Sequence, residues 1–174
     1  KNAPEAPADF LLEIGTEELP PGHLSDPLSQ LKDRFPALMP DLRLNYANMD
    51  VWGTPRRLVV LVYDLAERQA DLSSVVKGPP SARAFREDGQ PTRAAEGFAR
   101  SKGIDVEDLQ VEKIDGGEYV VARIEEQGQP AWQVLAEALP GLVGSIRFNK
   151  SMRWNESGVA FSRPIRWLLA LHGS

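Results

Sequence analysis

A chain of 174 residues with a formal net charge of −5 has the length of one domain or two small ones, and its acidic balance argues against a general coat for nucleic acid. The apolar fraction of 42% is enough for a core, and the lack of cysteine excludes disulfides, thiol nucleophiles and thiolate metal sites. Neither a signal-like leader nor an apolar run of membrane-spanning length is visible, so we expect a cytoplasmic protein.

The first residues of the chain predict a linker followed by a short strand. Residues 1–8 are rich in Ala and Pro, a composition typical of linkers. The apolar run Phe10–Ile14 predicts a strand that Gly15 ends. Because the chain begins with Lys and its last apolar run resembles the interior of an element, we expect it to be a piece of a longer polypeptide.

A helix is predicted next, ended by prolines. Thr16 is expected to cap it, with two glutamates near the positive end of its dipole. Apolar residues at spacings of four, three and four predict a regular helix over about 22–35. Pro36 and Pro40 are expected to end it, because proline lacks a backbone donor and clashes with the preceding turn.

Two strands are then expected before residue 77. Alternating apolar and polar residues over 42–46 predict a half-buried strand. After a turn at Gly53-Thr54-Pro55, the nearly continuous apolar run 58–65 is typical of a strand buried on both faces.

Residues 77–145 are predicted to form a separate, inserted lobe. Pro91 is expected to open a helix that Gly103 closes, and Asp105 to cap one further turn. Two alternating runs around residues 115–117 predict a hairpin. A further helical stripe runs from Trp132 to Ile146, where Pro140 is expected to kink or split the helix.

A second turn-to-strand passage resembles the first one. Residues 161–164 place an arginine and a proline before the apolar run 165–171, as residues 54–57 do before 58–61. The similarity predicts two strands that enter one sheet from the same side, each with cations at its entrance.

The whole pattern predicts an α+β protein with a discontinuous core. Residues 9–76 and 146–174 are expected to build a mixed β-sheet with packed helices, and the lobe 77–145 to interrupt it. Charge supports the division, because residues 84–126 carry six basic and eleven acidic side chains. Residues 146–174 carry five basic side chains and one acidic side chain.

Motifs for catalysis, nucleotide binding or metal binding are missing from the sequence. It has two histidines and no phosphate-binding loop, dinucleotide fingerprint or nucleophile elbow. Glu13, Glu17 and Glu18 could form an acid–base set, but support of a helix start and pairing with arginine explain them better. We therefore predict no catalytic residue and no metal site.

The better functional candidates are cations near the predicted strand entrances. Planar guanidinium groups grip phosphates, and nearby tryptophans can stack on bases. The alternative is structural, with arginines lying over tryptophan rings or pairing with Glu13 and Glu17. The candidate RNA-binding residues are Arg56, Arg57, Lys150, Arg153, Arg163 and Arg166.

Seven strings in order resemble the amino-terminal part of the bacterial glycyl-tRNA synthetase β subunit, over residues 9–173. They are LLEIGTEELPPGHL (11–24), WGTPRRLVVLV (52–62), KGPP (77–80), DGQPTRAAEGFARSKGI (88–104), GGEYVVA (116–122), NKSMRW (149–154) and FSRPIRWLLALHG (161–173). The first, second and last two are highly specific. The leading Ala/Pro stretch departs from the family and is either a linker from an α–β fusion or a remnant of the expression vector.

The resemblance implies a division of labour between two subunits. In that family the α subunit carries the aminoacylation site for ATP and glycine, the β subunit is associated with tRNA(Gly), and the enzyme is an α2β2 heterotetramer. It implies no cofactor and no catalytic residue in this chain. Two roles stay open: a non-catalytic module that binds tRNA, holds the subunits together or both, and an interaction domain that docks a partner through the acidic lobe without touching RNA.

Overall fold

The computed structural model describes residues 3–86 and 88–173, and the chain divides into two compact units. The first unit is Lys1–Ala70 with Gly128–Ser174, and the second is Asp71–Gln127. In chain order, the elements are β1 (Ala8–Thr16), α1 (Ser25–Asp41), β2 (Asn48–Thr54), β3 (Arg57–Leu65), β4 (Leu72–Pro80), α2 (Ser81–Ala84), α3 (Arg93–Lys102), a 3-10 turn (Val106–Asp108), β5 (Gln110–Ile114), β6 (Gly117–Glu126), α4 (Ala131–Ser145), β7 (Met152–Arg153), β8 (Ala160–Phe161) and β9 (Ile165–His172).

A four-stranded sheet in the order β2-β3-β1-β9 organises the first unit. Every pairing in it is antiparallel, so the predicted α+β class is confirmed, but the prediction of a mixed sheet is wrong. Because β3 and β9 are both antiparallel to β1 and lie on either side of it, they run in the same direction. The prediction that two similar strands enter one sheet from the same side is therefore confirmed.

Two helices cover one face of this sheet. Alternate residues of β1 and β3 point their side chains to that face and are buried against α1 and α4, as the pleat of a strand requires. The buried side chains of this core are Phe10, Leu12, Ile14, Leu19, Leu31, Phe35, Met39, Leu44, Leu58, Val60, Val62, Leu65, Ala131, Leu135, Leu139, Leu142, Val143, Ile146 and Phe161.

Helix α1 corrects three predictions. It runs through Pro36 and Pro40, because Phe35 and Met39 are fully buried on its core side and their packing offsets the lost backbone bonds. Residues 42–46 consequently connect α1 to β2 and form no strand. Thr16 does not cap the helix, since it is the last residue of β1 and α1 begins nine residues later.

Helix α4 belongs to the first unit, and the second unit spans Asp71–Gln127 where the sequence predicted a lobe over 77–145. The apolar stripe of α4, including Leu135, Leu139 and Leu142, joins the first core. Pro140 does not split the helix, which continues from Ala131 to Ser145. Of the predicted linker 1–8, residues 3–7 lie outside helices and strands, Ala8 opens β1, and residues 1 and 2 are outside the described residues.

The second unit is a three-stranded antiparallel sheet, β4-β6-β5, with a small alanine-rich core against α2 and α3. Helix α3 begins after Thr92, whose hydroxyl accepts the Ala94 N–H at 3.3 Å, and it ends at Gly103 with φ of 70°. The hairpin turn uses Asp115 and Gly116, both at positive φ. The predictions of this helix, closed by Gly103, and of this hairpin are confirmed. The helix begins at Arg93 rather than at Pro91, and the Asp105 side chain forms no capping hydrogen bond with the 3-10 turn. No helix among the described residues has the length and apolar character to cross a membrane.

Candidate functional surface at the strand entrances

The segment that ends β1 lies between the entrances of β3 and β9. The Thr16 N–H donates to the Arg56 carbonyl at 2.9 Å, and the Glu17 N–H donates to the Pro164 carbonyl at 3.0 Å. Further along the same segment, the Leu19 N–H donates to the Pro55 carbonyl at 2.7 Å. We call this region the strand-entrance corner; it consists of residues 13–19, 54–57 and 164–167.

A polar network occupies the sheet face opposite the helices. Glu13 accepts the Trp167 indole N–H at 2.7 Å through Oε1 and an Arg57 N–H at 3.3 Å through Oε2. The Arg57 guanidinium carbon is 5.9 Å from the centre of the Trp167 ring. The Glu13 side chain is only 15% exposed, so both of its oxygens are paired in a partly dehydrated place. Arg57 thus makes both contacts that the structural alternative expects, a pair with Glu13 and a tryptophan ring beside its guanidinium.

Gly15 makes this network possible. It lies between Arg57 and Trp167 in the register of the three strands, and the Trp167 ring rests directly on it. A Cβ atom at position 15 would overlap the indole ring at its fused edge. The glycine is thus required by the close approach of a side chain, not by a positive φ.

Two exposed ion pairs complete the corner. Arg56 contacts Glu18 at 3.3 Å and Arg166 contacts Glu17 at 3.5 Å, and all four side chains are more than half exposed. Such pairs contribute about 0–1 kcal/mol to stability. They nevertheless place a carboxylate beside each cation, so each of the two open depressions at the corner is lined by both charges rather than by cations alone.

The structure therefore separates the six candidate RNA-binding residues into two sets. Arg56, Arg57 and Arg166 each pair with a carboxylate at the corner. Lys150, Arg153 and Arg163 lie on a second feature, described next.

A hairpin formed by β7 and β8 carries the second set. We call residues 149–163 the basic hairpin. Arg153 donates to the Gly158 carbonyl at 3.2 Å, and Lys150 and Arg163 form no ion pair with any residue that the structure describes. Trp154 is held by its N–H bond to the Phe161 carbonyl at 2.9 Å, with its ring partly exposed. Cations without a carboxylate partner on the same hairpin as a partly exposed aromatic ring are typical of nucleic-acid contacts.

A histidine–serine contact lies near the corner. His23 Nδ1 and Ser162 Oγ are 2.8 Å apart, which ties the loop before α1 to the loop before β9. A nucleophile–base pair also needs a group that orients the histidine. No carboxylate bonds to His23 among residues 3–86 and 88–173, so the contact fits a structural tie. Within the same ranges, no group of three acidic, histidine or cysteine side chains could hold a metal ion.

The sequence patterns did not predict that the Trp167 ring packs on Gly15 or that its indole N–H bonds to Glu13. The signal was present, because the strings EIGTEELP, TPRRL and RPIRW are the most specific ones in the chain. Their contact explains why they occur together. Each string supplies one side of the corner.

Comparison with known families agrees with the strings. Residues 10–174 match the family model described as "Glycyl-tRNA synthetase beta subunit". The chain belongs to this family. The resemblance predicted from the sequence is thereby confirmed.

Relatives of the chain are considerably longer than the chain itself. It is 50% identical over 165 residues to the glycine–tRNA ligase β subunit of Desulforamulus reducens, covering 95% of this chain and 24% of the relative. The β subunit of Desulforudis audaxviator is 49% identical with the same coverage. The chloroplastic/mitochondrial glycine–tRNA ligase 2 of Arabidopsis thaliana is 48% identical, covering 97% of this chain and 16% of the relative. The chain thus spans about a quarter of the length of the bacterial relatives.

Proposed function

We propose that this chain is a non-catalytic module of a glycine–tRNA ligase β subunit, supporting the glycylation of tRNA(Gly). In this proposal its partners are tRNA(Gly) and the α subunit of an α2β2 enzyme, and ATP and glycine are bound by the α subunit. The observation that carries the proposal is the corner, where the strings most specific to the family bond to one another. Side chains engaged in this way act as a scaffold rather than as reactive groups.

Within that module, tRNA contact is assigned to the basic hairpin. Lys150 and Arg163 have no carboxylate partner among the described residues, whereas Arg56, Arg57 and Arg166 do. A cation with a carboxylate beside it attracts a phosphate less than an unpaired cation does, because the carboxylate repels the phosphate. Arg153 and Trp154 lie on the same hairpin and add a further cation and an exposed ring.

The test measures tRNA(Gly) affinity of the assembled ligase over a series of salt concentrations. Each phosphate contact contributes roughly 0.7–0.9 to the slope of log K against log salt. We expect Lys150→Ala combined with Arg163→Ala to reduce that slope by roughly one to two units. Arg56→Ala is the matched control, since it removes an exposed cation that has a carboxylate partner, and it should leave the slope unchanged.

Two results would contradict the assignment. An unchanged slope in the hairpin variant would remove tRNA contact from this hairpin. A slope lowered by Arg56→Ala would show that the pairing with Glu18 does not occupy that arginine.

The acidic second unit favours the second candidate function, docking of a partner protein. The structure makes a clean deletion possible, because both ends of the unit leave the first unit side by side. The Gln69 N–H donates to the Gln129 carbonyl at 2.9 Å, and Arg68 and Pro130 form an isolated bridge. Residues 71–127 can therefore be replaced by a short Gly-Ser linker. Loss of the α subunit from the purified complex, with tRNA affinity of the remaining β subunit unchanged, would favour docking over RNA contact.

A further inference from the structure

Strand β9 is apolar and exposed along most of its length. Its exposed apolar residues are Trp167 (41%), Leu168 (55%), Leu169 (37%) and Leu171 (42%). From residue 167 to residue 171 it carries no charge and no proline. Continuous apolar strands of this kind are normally buried on both faces.

The exposure concerns both faces of β9. Leu168 and Ala170 pair with Ile14 and Leu12 of β1, so they face the helix side. Leu169 and Leu171 face the opposite side. Helices α1 and α4 cover the other strands, whereas β9 contributes only Ile165 to the core. The sheet therefore extends one strand beyond its helical layer.

One edge of β9 also pairs with no strand among residues 3–86 and 88–173, since β9 is the last strand of the sheet. The Gly173 N–H donates to the Asp9 carbonyl at 2.9 Å, and hydrogen-bonded pairs alternate along an antiparallel ladder. The backbone groups of Leu169 and Leu171 consequently point to β1. Those of Leu168 and Ala170 point to the free edge.

The opposite edge of the sheet is built differently. Strand β2 places Asn48 and Asp50 on the face opposite the helices, where Asp50 accepts a hydrogen bond from the Tyr63 hydroxyl. Polar and charged side chains of this kind protect a strand edge against pairing. Strand β9 has no charged side chain and no proline between residues 167 and 171. Its edge is therefore suited to pairing with another strand.

We propose that a strand from another part of the same β-subunit polypeptide pairs with the free edge of β9 and extends the sheet. The proposal rests on the function proposed above, because the bacterial relatives are about four times as long as their matched part. An apolar strand without charge fits a permanent apolar contact better than RNA or a transient partner. A segment of the same polypeptide has the further advantage of a high effective concentration.

The experiment is residue-resolved amide hydrogen exchange on the full-length β subunit without the α subunit, at several protein concentrations. The amides of Leu169 and Leu171 bond to β1 and serve as internal references. We expect the amides of Leu168 and Ala170 to be protected as strongly as these references. Uncovered edge amides would exchange faster, on the order of 100-fold or more, because they need no opening of the sheet.

A variant tests the pairing directly. Ala170→Pro removes a donor that points to the free edge and leaves the bonds to β1 in place, since proline is tolerated on strand edges. We expect Leu168 to lose its protection while Leu169 and Leu171 keep theirs. Ala170→Ser is the matched control and should leave all three amides protected.

Other occupants give different results, and each overturns the proposal. Protection of Leu168 that appears only after addition of the α subunit would assign the edge to that subunit. Protection that depends on the concentration of the β subunit would assign it to a second copy. Fast exchange of Leu168 and Ala170 in the assembled ligase would show an uncovered edge. A β subunit whose Leu168 and Ala170 amides are protected but which gives no glycylation of tRNA(Gly) when combined with the α subunit would contradict the proposed function and leave the strand pairing standing.

Discussion

Replacing Gly15 by alanine tests the central contact of the corner. A Cβ atom at this position would overlap the fused edge of the Trp167 ring, so the indole has to leave its seat. Its departure breaks the bond from the indole N–H to Glu13 and the contact with the Arg57 guanidinium. We therefore expect Gly15→Ala to lower the free energy of unfolding.

The size of the loss follows from these contacts. A hydrogen bond to a charged acceptor contributes about 1.5–3 kcal/mol, and an exposed cation–π contact about 0.5–1 kcal/mol. Alanine restricts the unfolded chain more than glycine does, which returns about 0.4–1 kcal/mol. Subtracting the effect on the unfolded chain from the two lost contacts leaves an expected net loss of about 2 kcal/mol in the free energy of unfolding.

Urea unfolding of the chain, followed by circular dichroism, measures this loss. Gly141→Ala is the matched control, because nothing lies within 4 Å of a Cβ atom at that position in α4. It should raise stability by about 1 kcal/mol, as expected for alanine in place of glycine inside a helix. Both substitutions add the same methyl group to the same unit.

A double-mutant cycle decides whether Trp167 is the cause. In a Trp167→Ala background no indole ring packs on residue 15. The loss of stability caused by Gly15→Ala should then disappear, which corresponds to a coupling energy of about 2 kcal/mol. A cost that persists in that background would refute the reasoning. So would a Gly15→Ala variant that is as stable as the parent chain.

Three further predictions concern single side chains. The hydroxyl of Thr16 is buried without a hydrogen-bond partner among the described residues, so Thr16→Val should raise the free energy of unfolding by about 1 kcal/mol; a loss of stability would show that the hydroxyl has a partner. The Arg56–Glu18 pair is exposed, so Arg56→Ala should change stability by less than about 0.5 kcal/mol in the same assay, and a larger loss would contradict the weak pair. The Tyr63 hydroxyl donates to Asp50 at 2.9 Å, and this bond raises the pKa of Tyr63 above its ordinary value of 10.0. Its stabilising effect is present below pH 10 and is lost as the pH rises through the raised pKa. Asp50→Asn should lower the pKa of Tyr63 in an ultraviolet titration of phenolate, and an unchanged titration would argue against the bond.

Features with a local cause could be predicted from the sequence. Helix α3 has Thr92 at its start and Gly103 at its end, and the hairpin has Asp115 and Gly116 in its turn. In each case a few neighbouring residues determine the backbone angles, because a helix cap or a tight turn is completed within four or five residues. The family could also be predicted, since its strings are contiguous.

Features decided by burial could not be predicted in the same way. The prolines at 36 and 40 locally favour the end of α1, yet the packing of Phe35 and Met39 carries the helix to Asp41. Because α1 continues to Asp41, the next strand is Asn48–Thr54 and not the predicted 42–46. Helix α4 likewise looked continuous with the inserted lobe in sequence, but its apolar stripe joins the first core. Propensity is a weak preference, and tertiary packing overrides it.

The sequence by itself determined the α+β class, the shared direction of β3 and β9, and the cations at their entrances. Only the tertiary structure decided what those cations meet. Glu13 and Trp167 are 154 positions apart, and the register of three strands brings them together across Gly15. A strand pairing between distant segments depends on the packing of the whole unit. The tertiary structure therefore determines which arginines bind a neighbouring carboxylate and which cations have no carboxylate partner among the described residues.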